Sequence, residues 1–217
     1  MPTTLMIVED EGLLRDLLRS SLSHQPGLTV VECVGDGTSA VRVARELKPD
    51  VVLMDIELGD GINGIEAGCY IKRESPSTGI VLLSSHMEKQ YITCIPLEEA
   101  AGWCYMSKQS VSHLPALTRA IEGAAAGLSV MDPVLIKALR PRPSSIIDRL
   151  TPRQLEILAL IAQGYSNTAI AEELTLGQKS VENYINTLYQ NLHITRDEPI
   201  HPRVKATLTY LRETRAA

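Results

Sequence analysis

Between Asp50 and Gly61 the chain reads DVVLMDIELGDG, and its first half narrows the folds open to the rest more than any other stretch. Val51, Val52, Leu53 and Met54 leave no polar face, so an extended segment here must be covered on both sides, as in the middle of a parallel sheet. The run then delivers its chain into an acid, Asp55. Open α/β sheets place their ligands at the carboxyl ends of such strands.

Four more apolar runs, Leu5–Val8, Thr29–Val34, Ile80–Ser84 and Gly102–Met106, alternate with amphipathic stretches such as the one carrying Leu13, Leu14, Leu17, Leu18 and Leu22. Up to about Gly127 this rhythm predicts a five-stranded open parallel sheet with helices on both faces. Pro96 in QYITCIPLEEA should kink or end the helix between the fourth and fifth strands. A short helix is expected over Asp132–Leu139, and RPRPSSIIDR then has the prolines and serines of a linker, with a boundary near 141–148.

Beyond that boundary the periodicity is helical and no strand is expected. Thr151, Pro152 and Gln154 form a capping signal for a helix to about Gln163, which Gly164 stops. Ser166 or Asn167 caps a second, short helix. A third buries Val181, Ile185, Leu188 and Leu192 and turns Lys179, Glu182, Asn183, Asn186 and Gln190 away, and a fourth runs from about Pro202 to Arg215.

The 217 residues leave room for two such domains, and a net charge of −5 marks neither a disordered nor a polybasic chain. Cys33, Cys69, Cys94 and Cys104 form no CxxC pair and have no histidine at ligand spacing, which favours reduced thiols and a cytoplasmic setting. There is no signal-like start and no apolar span of about 18 residues, so neither secretion nor a membrane partner is expected.

The first strand, like the third, ends in acids: Glu9 and Asp10. In a sheet ordered 2-1-3-4-5 those two strands are neighbours, so three carboxylates converge and require a cation. Oxygen ligands in an open cleft suit Mg²⁺, which keeps waters and shares itself with phosphate oxygens. The fourth strand adds the hydroxyl of Ser84 and the fifth leads to Lys108, a positive point charge at the same rim. Together these groups describe a phosphoryl acceptor in which Asp55 attacks in line while Mg²⁺ and Lys108 neutralise the charge that accumulates. Phosphorylation would then draw in Ser84 and let Tyr105 rotate inward behind it. Taken singly, each residue is as well explained as a solvated turn, a packing hydroxyl, a surface lysine or a core tyrosine. Their joint placement at four strand ends favours the site. The same carboxylates could serve metal-dependent phosphate hydrolysis, but no capping domain or further general acid accompanies them.

IVEDE, DVVLMDIELGDGINGIEA, VLLSSH and GWCYMSK resemble the receiver domain of bacterial two-component response regulators across nearly all of residues 1–127. The resemblance implies a flavodoxin-like fold, Asp55 as phospho-acceptor, Glu9 and Asp10 as the metal pair, and Glu57 as a metal ligand through its backbone carbonyl. It also implies Ser84 and Tyr105 as the switch pair and Lys108 as the phosphate contact. Two departures stand out: Leu58, Gly59 and Asp60 replace the usual Met-Pro-Gly, and Ser85 stands where Ala or Gly is common.

From LTPRQLEILALIAQGYSNTAIAEELTLGQKSVENYINTLYQNLHI, residues 148 to about 213 resemble the helix-turn-helix domain of the NarL/FixJ (LuxR-type) regulators. That implies an all-α, four-helix DNA-binding domain at 148–217, joined to the receiver by a linker at 128–147. Its third helix would enter the major groove, with Lys179 and Ser180 on phosphate and Glu182, Asn183 and Asn186 nearest the base edges. From residue 148 onward eight Lys and Arg balance eight Asp and Glu, so the electrostatic footprint is weak. Glu182 sits where relatives usually have Lys, Gly177 replaces a capping Ser, and TRDEPIHPRVKA lengthens the turn before the fourth helix. Dimerisation on DNA would offset weak single-site binding.

The expected protein is therefore a regulator and not a free-standing enzyme: a sensor histidine kinase phosphorylates Asp55, and a homodimer binds promoter DNA. The alternative is a phosphorylation-independent regulator or a protein-binding adaptor with a degenerate DNA face.

Overall fold

The computed structural model describes residues 1–59, 61–85, 100–141, 145–195 and 199–216. The expected kink at Pro96, together with Asp60 and Cys94, lies outside the described residues. Residues 1–85 and 102–127 form one compact unit, and residues 100–101 and 128–216 form another.

In the first unit, β1 (Thr3–Val8), β2 (Leu28–Val34), β3 (Val51–Asp55), β4 (Gly79–Ser84) and β5 (Trp103–Ser107) form a parallel sheet ordered β2-β1-β3-β4-β5. Every residue of β3, β4 and β5 is buried, as unbroken apolar runs require. The edge strand β2 is only partly covered. Between them run α1 (Gly12–Ser23), α2 (Gly37–Leu47) and α3 (Gly64–Glu74), and α4 (Leu114–Ala125) follows β5. Small residues bring the helices close: a Cβ on Gly68 of α3 would lie 2.6 Å from the Trp103 ring. In α1 the buried face is narrower than its leucine pattern, with Leu18 and Leu22 buried but Leu13 and Leu17 exposed.

The second unit begins with the segment expected as linker. Its short helix α5 (Pro133–Ala138) buries Leu135 and Ile136, and the Met131 N–H donates to Ala162 O at 2.7 Å. Four helices follow, α6 (Pro152–Ala162), α7 (Asn167–Glu173), α8 (Gln178–Asn191) and α9 (Pro202–Glu213). The Thr151–Gln154 capping box opens α6, and Gly164 ends it with φ +79°. Ser166, not Asn167, caps α7. Val181, Ile185, Leu188 and Leu192 are buried as their spacing requires.

The all-helical expectation needs one correction. The last helix stops at Glu213, and β7 (Thr214–Ala216) pairs antiparallel with β6 (Leu139–Pro141), Arg140 opposite Arg215. Two strands of three residues, one of them ending in proline, carry no readable alternation.

Candidate functional site

The parallel register sets the site. β1 lies beside β3 with Val8 opposite Met54, so Glu9 and Asp10 leave β1 next to Asp55. Carboxylate oxygens of Glu9, Asp10 and Asp55 all lie within 4.8 Å of one another. Asp55 also pairs with Leu83 of β4, which puts Ser84 at the next step along the same rim, and Ser84 in turn pairs with Ser107 of β5.

Lys108 follows at the end of β5. Ser107 Oγ accepts the Gln109 N–H at 3.1 Å and starts a 3-10 turn, Lys108–Ser112. From it the Lys108 Nζ reaches back to donate to Asp55 Oδ2 and Glu9 Oε1, 2.9 Å from each. Both carboxylates are fully buried, and the lysine side chain is 18 % exposed. Charge-assisted bonds of this length in a partly desolvated rim are far stronger than a surface ion pair.

The electrostatics follow from this packing. Burial, reinforced by the neighbouring Asp55, raises Glu9 to a pKa of about 7, although the Lys108 hydrogen bond pulls the other way. Burial alone would lower Lys108, but its bonds to Asp55 and Glu9 outweigh that and hold its pKa above the ordinary value. Three carboxylates against one ammonium leave negative charge in excess. Glu9 Oε2 is buried without a hydrogen-bond partner among the described residues. An orphaned carboxylate oxygen beside two further carboxylates, with Asp10 exposed so that waters can remain, fits an oxygen-liganded divalent cation of the Mg²⁺ type.

The remaining expected residues fall out as follows. The Glu57 N–H donates to Asp55 Oδ1 at 3.2 Å, folding the loop back over the acceptor while the Glu57 side chain is exposed. Ser84 is buried at the end of β4, and Tyr105 is buried in β5 opposite Leu82. Two positioning residues escaped the sequence reading. The Arg15 Nη1 donates to Glu9 O at 2.6 Å and Asp10 O at 3.3 Å, clamping the turn after β1. Gly64 begins α3 directly against the Asp55 carbonyl, where a Cβ would overlap the backbone. An Arg one turn into a helix and a Gly after a capping Asn are too ordinary to be singled out without coordinates.

In the second unit α8 presents Lys179, Ser180, Glu182, Asn183 and Asn186 to solvent, opposite its buried stripe. Lys179 Nζ lies 3.6 Å from Glu182 Oε2, so the helix partly neutralises its own cation. Gly177 caps the helix without a side-chain bond.

Two families match the chain: "Response regulator receiver domain" over residues 5–121, and "Bacterial regulatory proteins, luxR family" over 148–199. The chain is 29 % identical over 211 residues to the nitrate/nitrite response regulator protein NarL of Escherichia coli (strain K12), covering 95 % of this chain and 94 % of that one. It is 32 % identical over 196 residues to the transcriptional regulatory protein LiaR of Bacillus subtilis (strain 168), covering 88 % and 90 %. Among solved structures, the response regulator domain of Thermotoga maritima CheB matches with a TM-score of 0.51 at 32 % identity, over 58 % of this chain and 98 % of that one.

Proposed function

Since the chain belongs to the response regulators that join a receiver domain to a LuxR-type domain, we propose that it is a phosphorylation-controlled, DNA-binding transcription regulator. In this reading residues 1–127 receive the signal, 128–147 connect, and 148–217 bind promoter DNA. The observation that carries it is Lys108 bridging Glu9 and Asp55 at 2.9 Å, an arrangement that leaves one buried carboxylate held ready beside a fixed positive charge.

An Asp55 carboxylate oxygen attacks the phosphorus of a phosphohistidine on a sensor kinase. The P–O bond forms, the P–N bond breaks, and the departing imidazole takes a proton. Lys108 stays within reach of the transferred oxygens and stabilises their charge, while the Glu57 N–H holds the other side of the carboxylate. Glu9, Asp10, Asp55 and the Glu57 carbonyl would hold Mg²⁺, which when bound supplies further neutralisation of phosphoryl charge. Arg15 fixes the carbonyls of both acidic neighbours. A phosphoryl group on Asp55 competes for Lys108 and offers new acceptors to Ser84, with Tyr105 as the buried ring behind it. The output is a homodimer that places Lys179 and Ser180 against phosphates and Glu182, Asn183 and Asn186 at base edges, in a cytoplasmic setting.

Incubation with acetyl phosphate and Mg²⁺ tests the acceptor. Wild type should gain one hydroxylamine-sensitive phosphoryl group, and Asp55→Asn should gain none; equal labelling of both rejects Asp55. The Lys179–Glu182 pair favours a second reading, a regulator independent of phosphorylation or an adaptor for a protein partner. A salt-dependent shift of promoter fragments that grows on phosphorylation excludes it. No DNA binding at low salt in either state supports it.

A further inference from the structure

The start of α9 and the outer face of α8 enclose a cavity of about 370 Å³. Its walls carry Glu182 and Asn186 of α8, and also His201 and Arg203. His201 lies in TRDEPIHPRVKA, the segment that lengthens the turn before the last helix.

The chemistry of that wall is set by two hydrogen bonds. His201 Nδ1 accepts the Arg203 backbone N–H at 3.2 Å and so caps α9. A ring nitrogen that accepts carries no proton, which leaves the proton of the neutral ring on Nε2. Burial and the adjacent Arg203 both lower the pKa of His201, so the neutral ring persists at neutral pH. Arg203 cannot supply the donor instead. Its guanidinium gives one nitrogen to Tyr165 O and another to Asn167 Oδ1, each at 2.6 Å, tying α9 to the start of α7.

One cavity therefore holds a fixed acceptor, Glu182, and a tautomer-locked donor, His201. A lone phosphate would be repelled by the carboxylate. The major-groove edge of a C·G pair presents a donor, cytosine N4–H, beside an acceptor, guanine O6, whereas a T·A pair would press its methyl against a polar wall. Resting on the DNA-binding reading above, we propose that His201 is a further base-reading residue. It acts with Glu182 on one C·G pair of each half-site, cytosine N4–H to Glu182 and guanine O6 to His201 Nε2–H.

The full chain, phosphorylated with acetyl phosphate and Mg²⁺, is used to select binding sites from random duplexes, and affinities are then measured on the selected site and on its T·A variant. Wild type should prefer the C·G site about tenfold. His201→Asn keeps an oxygen to cap α9 but withdraws the donor. It should weaken binding to the C·G site about fivefold to tenfold and narrow the preference, with an unchanged thermal unfolding midpoint. Unchanged affinity and preference in His201→Asn overturn the proposal. So does an equal loss on every duplex with a shallower salt dependence, which assigns His201 to phosphate. If wild type itself enriches no sequence and shifts no DNA at low salt, the DNA-binding reading fails first.

Discussion

The rim of the sheet and the outer face of α8 both carry charged residues, yet they hold them in opposite ways. At the rim, Glu9 and Asp55 are fully buried and share one ammonium at 2.9 Å. On α8, Lys179 and Glu182 meet at 3.6 Å with side chains 86 % and 50 % exposed. Buried charges interact through a medium of low polarity and cannot be altered without consequence for folding, whereas exposed ones are screened and contribute little to stability. The first arrangement is itself the machinery. The second gains meaning only when a partner excludes water from it.

The largest expected effect comes from breaking the buried side of this contrast. Lys108→Ala leaves two buried carboxylates without their cation, and urea unfolding without metal should show a loss of about 3 kcal/mol. Mg²⁺ should restore part of that loss, because it supplies the missing positive charge. A Lys108→Ala protein as stable as wild type would mean that the rim is solvated like α8.

Next comes the titration of Glu9. Its pKa rises from 4.5 to about 7 on folding, so the folded state favours the neutral carboxyl. Stability from this group is fully present below about 4.5 and is lost as pH rises through about 7. The loss is on the order of 3 kcal/mol and should appear in metal-free unfolding measured from pH 4.5 to 8. Mg²⁺ requires the ionised form, so below about pH 7 its affinity should fall about tenfold per pH unit. Glu9→Gln should flatten both profiles, and calorimetric Mg²⁺ titrations at several pH values decide the second.

The same contrast explains what could be read before any coordinates. Val51–Met54 running into Asp55, and Leu5–Val8 running into Glu9, announce both the sheet and its acidic rim, because full burial forces a continuous apolar signal. Lys108 was legible only as a strand end, and its two bonds were not. Arg15 and Gly64 act on backbone carbonyls, which any sequence contains, so no residue pattern reveals them. In α1 the pattern overstates burial: Leu13 and Leu17 continue the apolar stripe but face solvent, 80 % and 55 % exposed. On α8 the pattern fixed which face is buried, since Val181, Ile185 and Leu188 repeat at helical spacing, but an exposed polar face looks the same whether or not it reads DNA. The β6–β7 ribbon joins segments far apart in sequence through backbone groups alone, and such pairing leaves no local trace.

On the exposed side, Glu182→Lys should leave stability within about 0.5 kcal/mol of wild type, because the pair it replaces is screened. Its effect belongs to DNA. Repulsion at the backbone disappears and one phosphate contact is added, so the slope of log affinity against log salt should steepen by about 0.9. Fluorescence anisotropy across a salt series measures this, and an unchanged slope would place residue 182 away from the phosphates.

The smallest effect separates the helix from its partner. Gly177 caps α8 without a side-chain bond, leaving the first N–H groups of a 14-residue helix to solvent. Gly177→Ser adds an oxygen able to accept one of them, and a Cβ there meets only Ser180 Oγ at 3.9 Å. Stability should rise by a few tenths of a kcal/mol, about the known difference between Ser and Gly at this position. If those N–H groups serve DNA phosphates, the new hydroxyl competes for one of them, and the gain in stability should come with slightly weaker binding. A variant that is both more stable and binds equally well would show that the amino end of α8 lies clear of the backbone, leaving recognition to the side chains further along the helix.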